Sequence, residues 1–312
     1  MAKIKFNTNK IFKVALIVYA IIFIAGTVLA LLPSWGVSLD INFSGGTRIA
    51  YSYEGDVVLK DFEATVKEAL DGKFTVSENT SIAGDTKTLS ISLVGKKSLS
   101  GETQSAITTA LTKKFPDNKF TLYNSNSVSA SIAGTFFAKS MVAVLITAVL
   151  VVIYVGIRFR KIGGVSAAIT ALASLVLDVL VTFFICVIFK LEIDSNFIAV
   201  VLTMLGYSLN DTIVIYDRVR ENKRLYPELE TGELVNDSIN SVSTRNFVTT
   251  ITTLLAVLTI VVVAEIHGLT SLRTFAIPMA FGLVSGCLSS LFVSGPLWVL
   301  WKNFKDKKAA KK

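Results

Sequence analysis

Residues 191–222 read LEIDSNFIAVVLTMLGYSLNDTIVIYDRVREN. From residue 194 to residue 216 this stretch is mainly apolar, and it is as long as the roughly 20 helical residues that cross the hydrocarbon core of a bilayer. A dense run of charge, beginning with Asp217 and Arg218, follows directly. The stretch therefore predicts a membrane-spanning helix over 194–216 that ends where the charges begin.

Apolar stretches of similar length occur on both sides of this one. They cover residues 11–32, 140–157, 163–189, 247–266 and 274–301. The first stays apolar to its end and lacks a small-residue cleavage pattern, so we expect a retained anchor and not a signal peptide. The sequence thus predicts a multi-pass α-helical membrane protein with six spans, the last five forming a helical domain over 139–301.

The positions of the basic residues predict the orientation of these spans. Lys and Arg cluster in residues 1–10, after the second and fourth spans, and in the tail 302–312, whereas the two short loops on the opposite side hold only Lys190 and Arg273. Cytoplasmic loops carry such an excess of positive charge. Both termini are therefore predicted to be cytoplasmic, in a prokaryotic plasma membrane. The net charge of +8 then reflects topology and contact with anionic lipids, and a nucleic-acid partner is not needed to explain it.

A polar segment over residues 33–138 lies between the first two spans and is long enough for a small extracytoplasmic domain. Alternating apolar residues predict strands near 49–53, 74–76, 89–93 and 120–123. Helical spacing predicts a helix capped by Asp56 with Val58, Phe62 and Val66 on its inner face, and another helix capped near Ser100. The order βαββαβ is typical of a ferredoxin-like α+β domain.

The connection over 217–246 differs from the other links between spans because it is longer and carries both signs of charge. Such mixed charge is typical of solvated amphipathic helices. We expect a cytoplasmic segment with short helices divided at Pro227.

Two carboxyl groups lie deep inside predicted spans, where an ionisable side chain costs about 2.5–3.5 kcal/mol on insertion scales, whereas Glu192, Asp194 and Glu265 lie near the outer surface, where we expect water to satisfy them. Asp178 lies near the middle of the third span, and Asp211 lies within the cytoplasmic third of the fourth. Arg245 enters the fifth span from the same side, and its long side chain allows it to meet Asp211 at similar depth. Such groups are candidates for a proton relay.

A second interpretation of the same residues remains open. Asp211, Asn210 and Ser208 form a polar network that packs helices together, with Arg245 extended to the interface. Asp178 in turn hydrogen-bonds a neighbouring helix without exchanging protons. Residue chemistry alone does not decide between relay and packing.

Three motifs together resemble the SecF family of the resistance-nodulation-division (RND) transporter superfamily: FSGGT (43–47), the stretch 191–222, and SVSTRN (241–246). Nearly the whole chain shares this pattern of one span, an exposed domain and five spans. The resemblance implies proton conduction at Asp211 and Arg245, and a junction motif at Phe43, Gly45, Gly46 and Thr47. Many relatives have Asp directly before the Phe, whereas this chain has Asn42, which puts an ionic role at that site in doubt.

The resemblance also implies partners and a task. SecF-like chains pair with SecD beside the SecYEG channel, where they pull an emerging preprotein outward after SecA has pushed it. YajC- or YidC-type proteins are further candidate partners. We expect a subunit driven by the proton-motive force, with protons as coupling ion and no other cofactor or metal.

Other functions predict different features. A stand-alone RND-type exporter of small substrates usually carries duplicated halves in one chain, and only one set of six spans is present here. An intramembrane hydrolase would need an HExxH, Ser/His or GxGD pattern, none of which occurs in the spans, so the chain is not expected to be an enzyme. A structural assembly factor that uses no protons stays open.

Overall fold

The computed structural model describes residues 7–32, 35–70, 74–80, 87–94 and 101–309. Ser100, the predicted cap of the second helix in the exposed segment, lies outside these residues. In chain order the elements are α1 (Thr8–Leu31), α2 (Ile41–Ser44), β1 (Gly46–Tyr53), α3 (Leu59–Ala69), β2 (Thr75–Thr80), β3 (Lys87–Val94), α4 (Gly101–Lys114), β4 (Thr121–Val128), α5 (Ala130–Arg158), α6 (Gly164–Ile188), α7 (Ser195–Leu225), α8 (Thr231–Ile266), α9 (Thr270–Ser289) and α10 (Gly295–Ala309).

Six helices among the described residues are long and apolar enough to cross a membrane. They are α1, α5, α6, α7, α8 and the pair α9–α10, which a π-helical turn over Ser290–Ser294 joins into one span. The helices α6, α7 and α9 form the centre of the bundle, while α1, α5 and α8 expose apolar side chains such as Ile21, Leu145 and Leu255. A polar group on the inner face of α6, α7 or α9 is therefore surrounded by protein.

The segment between α1 and α5 holds a four-stranded sheet with the order β2-β3-β1-β4, in which all neighbours are antiparallel. Ile49, Ile91, Phe62 and Leu111 are fully buried between the sheet and the helices α3 and α4. The four strands occur where the alternation of apolar residues predicts them. Alternation predicts such strands well because successive side chains point to opposite faces.

The first helix of this domain begins differently from the prediction. Val58 is its N-cap residue, makes no side-chain capping bond and is exposed. Asp56 does not cap the helix, and its carboxylate pairs with Lys87 Nζ at 2.7 Å. An aspartate carboxylate can accept either from a helix amide or from a nearby ammonium group. Here β3 places the ammonium group of Lys87 beside Asp56.

Two of the membrane-spanning helices extend beyond the predicted ends of their spans. Instead of short helices over 217–246, α7 continues to Leu225 and α8 begins at Thr231, so that only a five-residue turn around Pro227 separates two long helices. Ion pairs three residues apart, Arg218–Glu221 at 2.6 Å and Asp217–Arg220 at 2.9 Å, stabilise the charged extension of α7. A change from apolar to charged residues marks the bilayer boundary and does not end a helix.

The second span also begins early. Ser129 accepts a hydrogen bond from the Ile132 amide and starts α5, so residues 130–138, assigned to the exposed segment by sequence, are helical. The sheet domain therefore leads into α5 without an intervening loop. We call the end of the bundle that carries this domain the domain end, and the opposite end the terminal end.

Candidate functional site

Asp178 lies near the middle of α6 and is 1% exposed. Three serine hydroxyls donate to its carboxylate: Ser285 Oγ to Oδ1 at 2.6 Å, Ser208 Oγ to Oδ2 at 2.7 Å, and Ser289 Oγ to Oδ2 at 2.8 Å. A buried carboxyl group without such donors would be strongly destabilising. The serines therefore make a polar site within the apolar bundle, and they connect α6 with α7 and α9.

Buried hydroxyl groups lie in two clusters between this site and the terminal end. Ser208 Oγ lies 3.4 Å from Ser290 Oγ, which lies 3.0 Å from Thr212 Oγ1. One turn further along α7, the buried Tyr216 hydroxyl lies 2.8 Å from both Ser294 Oγ and Thr170 Oγ1. Each of these hydroxyls both donates and accepts, which is the property a proton-conducting chain requires.

The π-helical turn explains why the serines of this span face α7. Ser290 and Ser294 are its first and last residues, and both are fully buried. A π-helical turn adds one residue to a helix and thereby rotates the side chains that follow it. On α7, residues 208, 212 and 216 share one face because they are four residues apart.

Asp211 lies in α7, three residues after Ser208, and is 2% exposed. Its Oδ2 atom is buried without a hydrogen-bond partner among the described residues. Asp178 and Asp211 are therefore both buried, but only Asp178 has its full set of donors.

Arg245 lies in α8 and is exposed at the terminal end. Among the residues described, no guanidinium nitrogen of Arg245 lies within 4.0 Å of the Asp211 carboxylate. Arg245 instead lines a pocket of about 900 Å³ together with Asp217, Arg218 and Glu221. The direct contact that similar depth would allow is therefore not formed.

Ser208 and Asn210 do not form the predicted polar network with Asp211. The Ser208 side chain bonds to Asp178 and Ser290 and not to Asp211. Asn210 is exposed on the outer face of α7. The two residues are two positions apart, so the helix points them in different directions.

The junction motif connects the sheet domain to α5. The Phe43 ring stacks on Phe136 at 5.5 Å between centroids and meets Phe137 edge-on at 5.8 Å. Gly45 has φ of 72°, and a side-chain carbon there would lie 2.8 Å from the Ala130 Cα atom. Glycine is required at this position by conformation and by space.

The rest of the motif starts the sheet. Gly46 is the first residue of β1, and the Thr47 hydroxyl donates to Ser127 Oγ in β4 at 3.2 Å. The four residues of the motif therefore position the sheet domain on the bundle. They contact neither Asp178 nor Asp211.

Sequence reasoning missed the serines of the last span. Ser285, Ser289, Ser290 and Ser294 are all buried. A signal was available in LVSGCLSSLFVSG (283–295), where serines recur every four or five residues in an otherwise apolar stretch. Hydroxyls at that spacing line one helix face and mark a polar contact inside a bundle.

No group of three or more His, Cys, Asp or Glu side chains among the described residues is arranged to hold a metal ion.

Residues 106–304 match the family "Protein export membrane protein SecD/SecF, C-terminal". The chain is 33% identical over 274 residues to protein translocase subunit SecF of Sebaldella termitidis, a match covering 86% of this chain and 84% of the relative. It is also 33% identical over 295 residues to protein translocase subunit SecDF of Bacillus subtilis, covering 91% of this chain but 36% of the relative.

Solved structures agree with these relatives. The crystal structure of SecDF, a translocon-associated membrane protein from Thermus thermophilus, matches with a TM-score of 0.79 and 26% identity, covering 96% of this chain and 39% of that one. SecDF in its super-membrane-facing form matches with a TM-score of 0.63 and 25% identity, covering 100% of this chain and 40% of that one. This chain thus spans about two fifths of the SecDF chains. It is a multi-pass membrane protein that belongs to the SecD/SecF family of protein-export membrane proteins.

Proposed function

We propose that this chain is the SecF-type subunit of a SecD/SecF complex that uses the proton-motive force to assist late stages of preprotein translocation through the SecYEG channel. The observation that carries this proposal is the buried Asp211 oxygen without a partner. A carboxyl group in this position is free to take up a proton or to accept a donor from another subunit.

The energetics fit such a role. Each elementary charge that crosses 100 mV supplies about 2.3 kcal/mol, so a few protons bias a two-state motion strongly. Asp211, Arg245 and Asp178 are the proposed relay residues. The buried hydroxyl groups from Ser208 to Tyr216 are proposed to carry protons along α7 between the depth of Asp178 and the depth of Asp211.

The SecD partner is proposed because the fused SecDF relatives extend beyond the part that this chain matches. Thr203, Gly206 and Asn210 form an exposed stripe on α7, and the space beside Gly206 is open to 4 Å. An amide facing lipid is costly, whereas small residues allow a second helix to approach closely. A helix of SecD is the proposed occupant of this stripe.

The orientation follows the charge distribution. With both termini cytoplasmic, the sheet domain is extracytoplasmic, and its strand order β2-β3-β1-β4 supports a ferredoxin-like fold. SecA, YajC- and YidC-type proteins and the translocating preprotein are the remaining proposed partners. The proposed location is a prokaryotic plasma membrane.

The test is Asp211→Asn in a SecD/SecF complex reconstituted with SecYEG and SecA in proteoliposomes. We expect the imposed proton gradient to lose its stimulation of late export, because the amide keeps the volume of the side chain but does not exchange a proton at neutral pH. The exposed Asp237 of α8 provides the matched control, Asp237→Asn, which should export normally.

Normal gradient-driven export by the Asp211 variant would refute the proton-relay role. If the chain alone, without SecD, exported small molecules against a proton gradient, the chain would instead be a stand-alone RND-type exporter.

A further inference from the structure

The chain between α1 and the sheet domain is attached to the loop that joins α6 to α7. Ile193 donates its amide to the Ser38 carbonyl at 2.8 Å, and the Asp40 amide donates to the Ile193 carbonyl at 3.1 Å. Nearby, Trp35 Nε1 donates to the Val187 carbonyl at 2.8 Å. The domain is therefore fastened to this loop in addition to its covalent links.

An ionic cluster reinforces the attachment. The Arg48 guanidinium on β1 contacts Asp40 Oδ1 at 2.7 Å and Glu192 Oε2 at 2.5 Å. Arg48 Nε also donates to Ser92 Oγ on β3 at 2.8 Å. Asp40 is 2% exposed, Glu192 19% and Arg48 31%. Because the guanidinium fork is planar and held by three groups, it ties the loop to the central strands in one geometry.

The sequence predicted that water would satisfy Glu192, and it put an ionic role near the junction motif in doubt because Asn42 stands where many relatives have Asp. The structure corrects the first expectation and shows an ion pair two residues before Asn42. Glu192 faces Arg48, and Asp40 supplies the missing carboxylate while accepting a bond from Asn42 Nδ2 at 2.6 Å.

The loop is important because of the helices that it connects. Asp178 lies on α6 and Asp211 on α7, and residues 189–194 are the link between these two helices. Any displacement of one carboxylate-bearing helix against the other at the domain end moves Glu192. The ionic cluster is therefore the place where such a movement reaches the sheet.

The second attachment of the domain has a different character. At the α5 junction, Phe43 packs against Phe136 and Phe137, and Gly45 lies against Ala130. Separating apolar rings exposes them to water, which opposes the movement. The Arg48 and Glu192 side chains are 31% and 19% exposed, so water reaches both groups when this pair separates, whereas Asp40 stays buried against Arg48.

From these contacts we propose that Arg48, Asp40 and Glu192 form a releasable latch, which couples movement of α6 and α7 to the sheet domain while the Phe43 junction acts as the pivot. This inference rests on the proposed proton-driven function and names the residues that connect its two halves.

The charge balance gives the latch a pH dependence. Burial raises the pKa of Glu192, Asp40 and Asp194 raise it further, and Arg48 opposes them. The pair with Arg48 exists only while Glu192 is ionised. It is therefore closed at neutral pH and opens as the pH falls through a pKa above the usual value for glutamate, about 4.3.

The experiment measures the distance between the domain and the bundle in the intact SecD/SecF complex. Spin labels are attached at Thr109→Cys on α4 and Ser271→Cys on α9, and the distance distribution is recorded by pulsed electron resonance. Cys186 and Cys287 are buried, which limits labelling at native positions. We expect a narrow distribution at pH 7.5 and a broader one for Arg48→Gln, for Glu192→Gln, and for the unsubstituted latch at acidic pH.

The controls separate a latch from general loosening. Glu63→Gln, on the exposed face of α3, should leave the distribution narrow. The double variant Arg48→Gln/Glu192→Gln should be no broader than Arg48→Gln alone, because the pair between Arg48 and Glu192 is already absent in that single variant. Unchanged distributions in Glu192→Gln, or fully additive broadening in the double variant, would overturn the proposal.

The export assay distinguishes the latch from the proposed function on which it rests. Latch variants should retain SecD and lose most of the gradient stimulation. If Asp211→Asn abolishes stimulation but the latch variants keep it with unchanged distances, the latch is wrong and the proton-driven function stands. If Asp211→Asn has no effect, the proton-driven function fails, while the distances still report whether the latch exists.

Discussion

Two carboxyl groups in one bundle differ in their surroundings. Asp178 receives three serine hydroxyls from α7 and α9, whereas Asp211 keeps a buried oxygen without a partner among the described residues. Both would count equally in any search for charge inside a membrane. The comparison teaches that burial alone does not describe such a group, because one carboxylate is fully hydrogen-bonded within the bundle and the other keeps an unpaired oxygen.

The first test removes the carboxylate of Asp178, the group that has its full set of donors. Asp178→Ala removes the acceptor of three buried hydroxyls, each of which costs about 1–3 kcal/mol if left unpaired. Some of the serines regain a backbone acceptor, as Ser289 does at the Gly286 carbonyl. We expect the free energy of unfolding in detergent to fall by about 2–4 kcal/mol. Asp178→Asn keeps one acceptor and should lose less than half as much. A loss below about 1 kcal/mol for the alanine variant would contradict this structural role.

The second test moves the helix that carries a donor. A side-chain carbon at Gly286 would lie 3.1 Å from Ser208 Cβ and 3.3 Å from its Oγ. Gly286→Ala should therefore push α7 from α9 and lower the free energy of unfolding by about 1–3 kcal/mol. Gly206→Ala meets open space and should leave the stability of the isolated chain unchanged or slightly higher. Equal losses in both variants would show that close approach at Gly286 is unimportant.

The third test addresses the unsatisfied group. Asp211→Asn should change the free energy of unfolding by less than about 1 kcal/mol, because the structure has no hydrogen bond there to lose. Denaturation under the same conditions as for Asp178→Ala checks this expectation. A loss as large as that of the alanine variant would mean that Asp211 has a structural role.

The smallest effect is expected at Arg245. Arg245→Lys keeps the charge of an exposed side chain without an ion pair, so stability should change by less than about 0.5 kcal/mol. A larger loss in the same denaturation assay would reveal a direct contact with Asp211. This variant therefore sharpens the distinction between an electrostatic influence and a salt bridge.

Local periodicity predicted much of the architecture. Apolar length located the six spans, and alternation located the strands containing Ile49 and Ile91. The ends were less predictable, since α7 and α8 continue as helices through charged residues that water and ion pairs satisfy. The prediction that Asp56 caps α3 was wrong because Lys87, which is 31 positions away in the chain, binds the same carboxylate.

The candidate site was predicted in part. The sequence selected Asp178, Asp211 and Ser208 because polar groups within the hydrocarbon region are energetically costly. Ser208 was assigned to Asp211, whereas it bonds to Asp178. Ser285 and Ser289 were missed because a serine in a span has no charge to draw notice. The partners of Arg48 were also beyond prediction, since they lie in three separate stretches of the chain.

The sequence by itself determined that this chain has six membrane spans, a small sheet domain, and two carboxyl groups deep within the spans, because these features follow from hydropathy and the periodicity of neighbouring residues. Only the tertiary structure decided which carboxyl group is satisfied and where the domain is fastened. Those outcomes depend on contacts such as Asp178–Ser285 and Arg48–Glu192, which join residues more than 100 positions apart. Helix packing sets such distances, and local pattern carries no information about them.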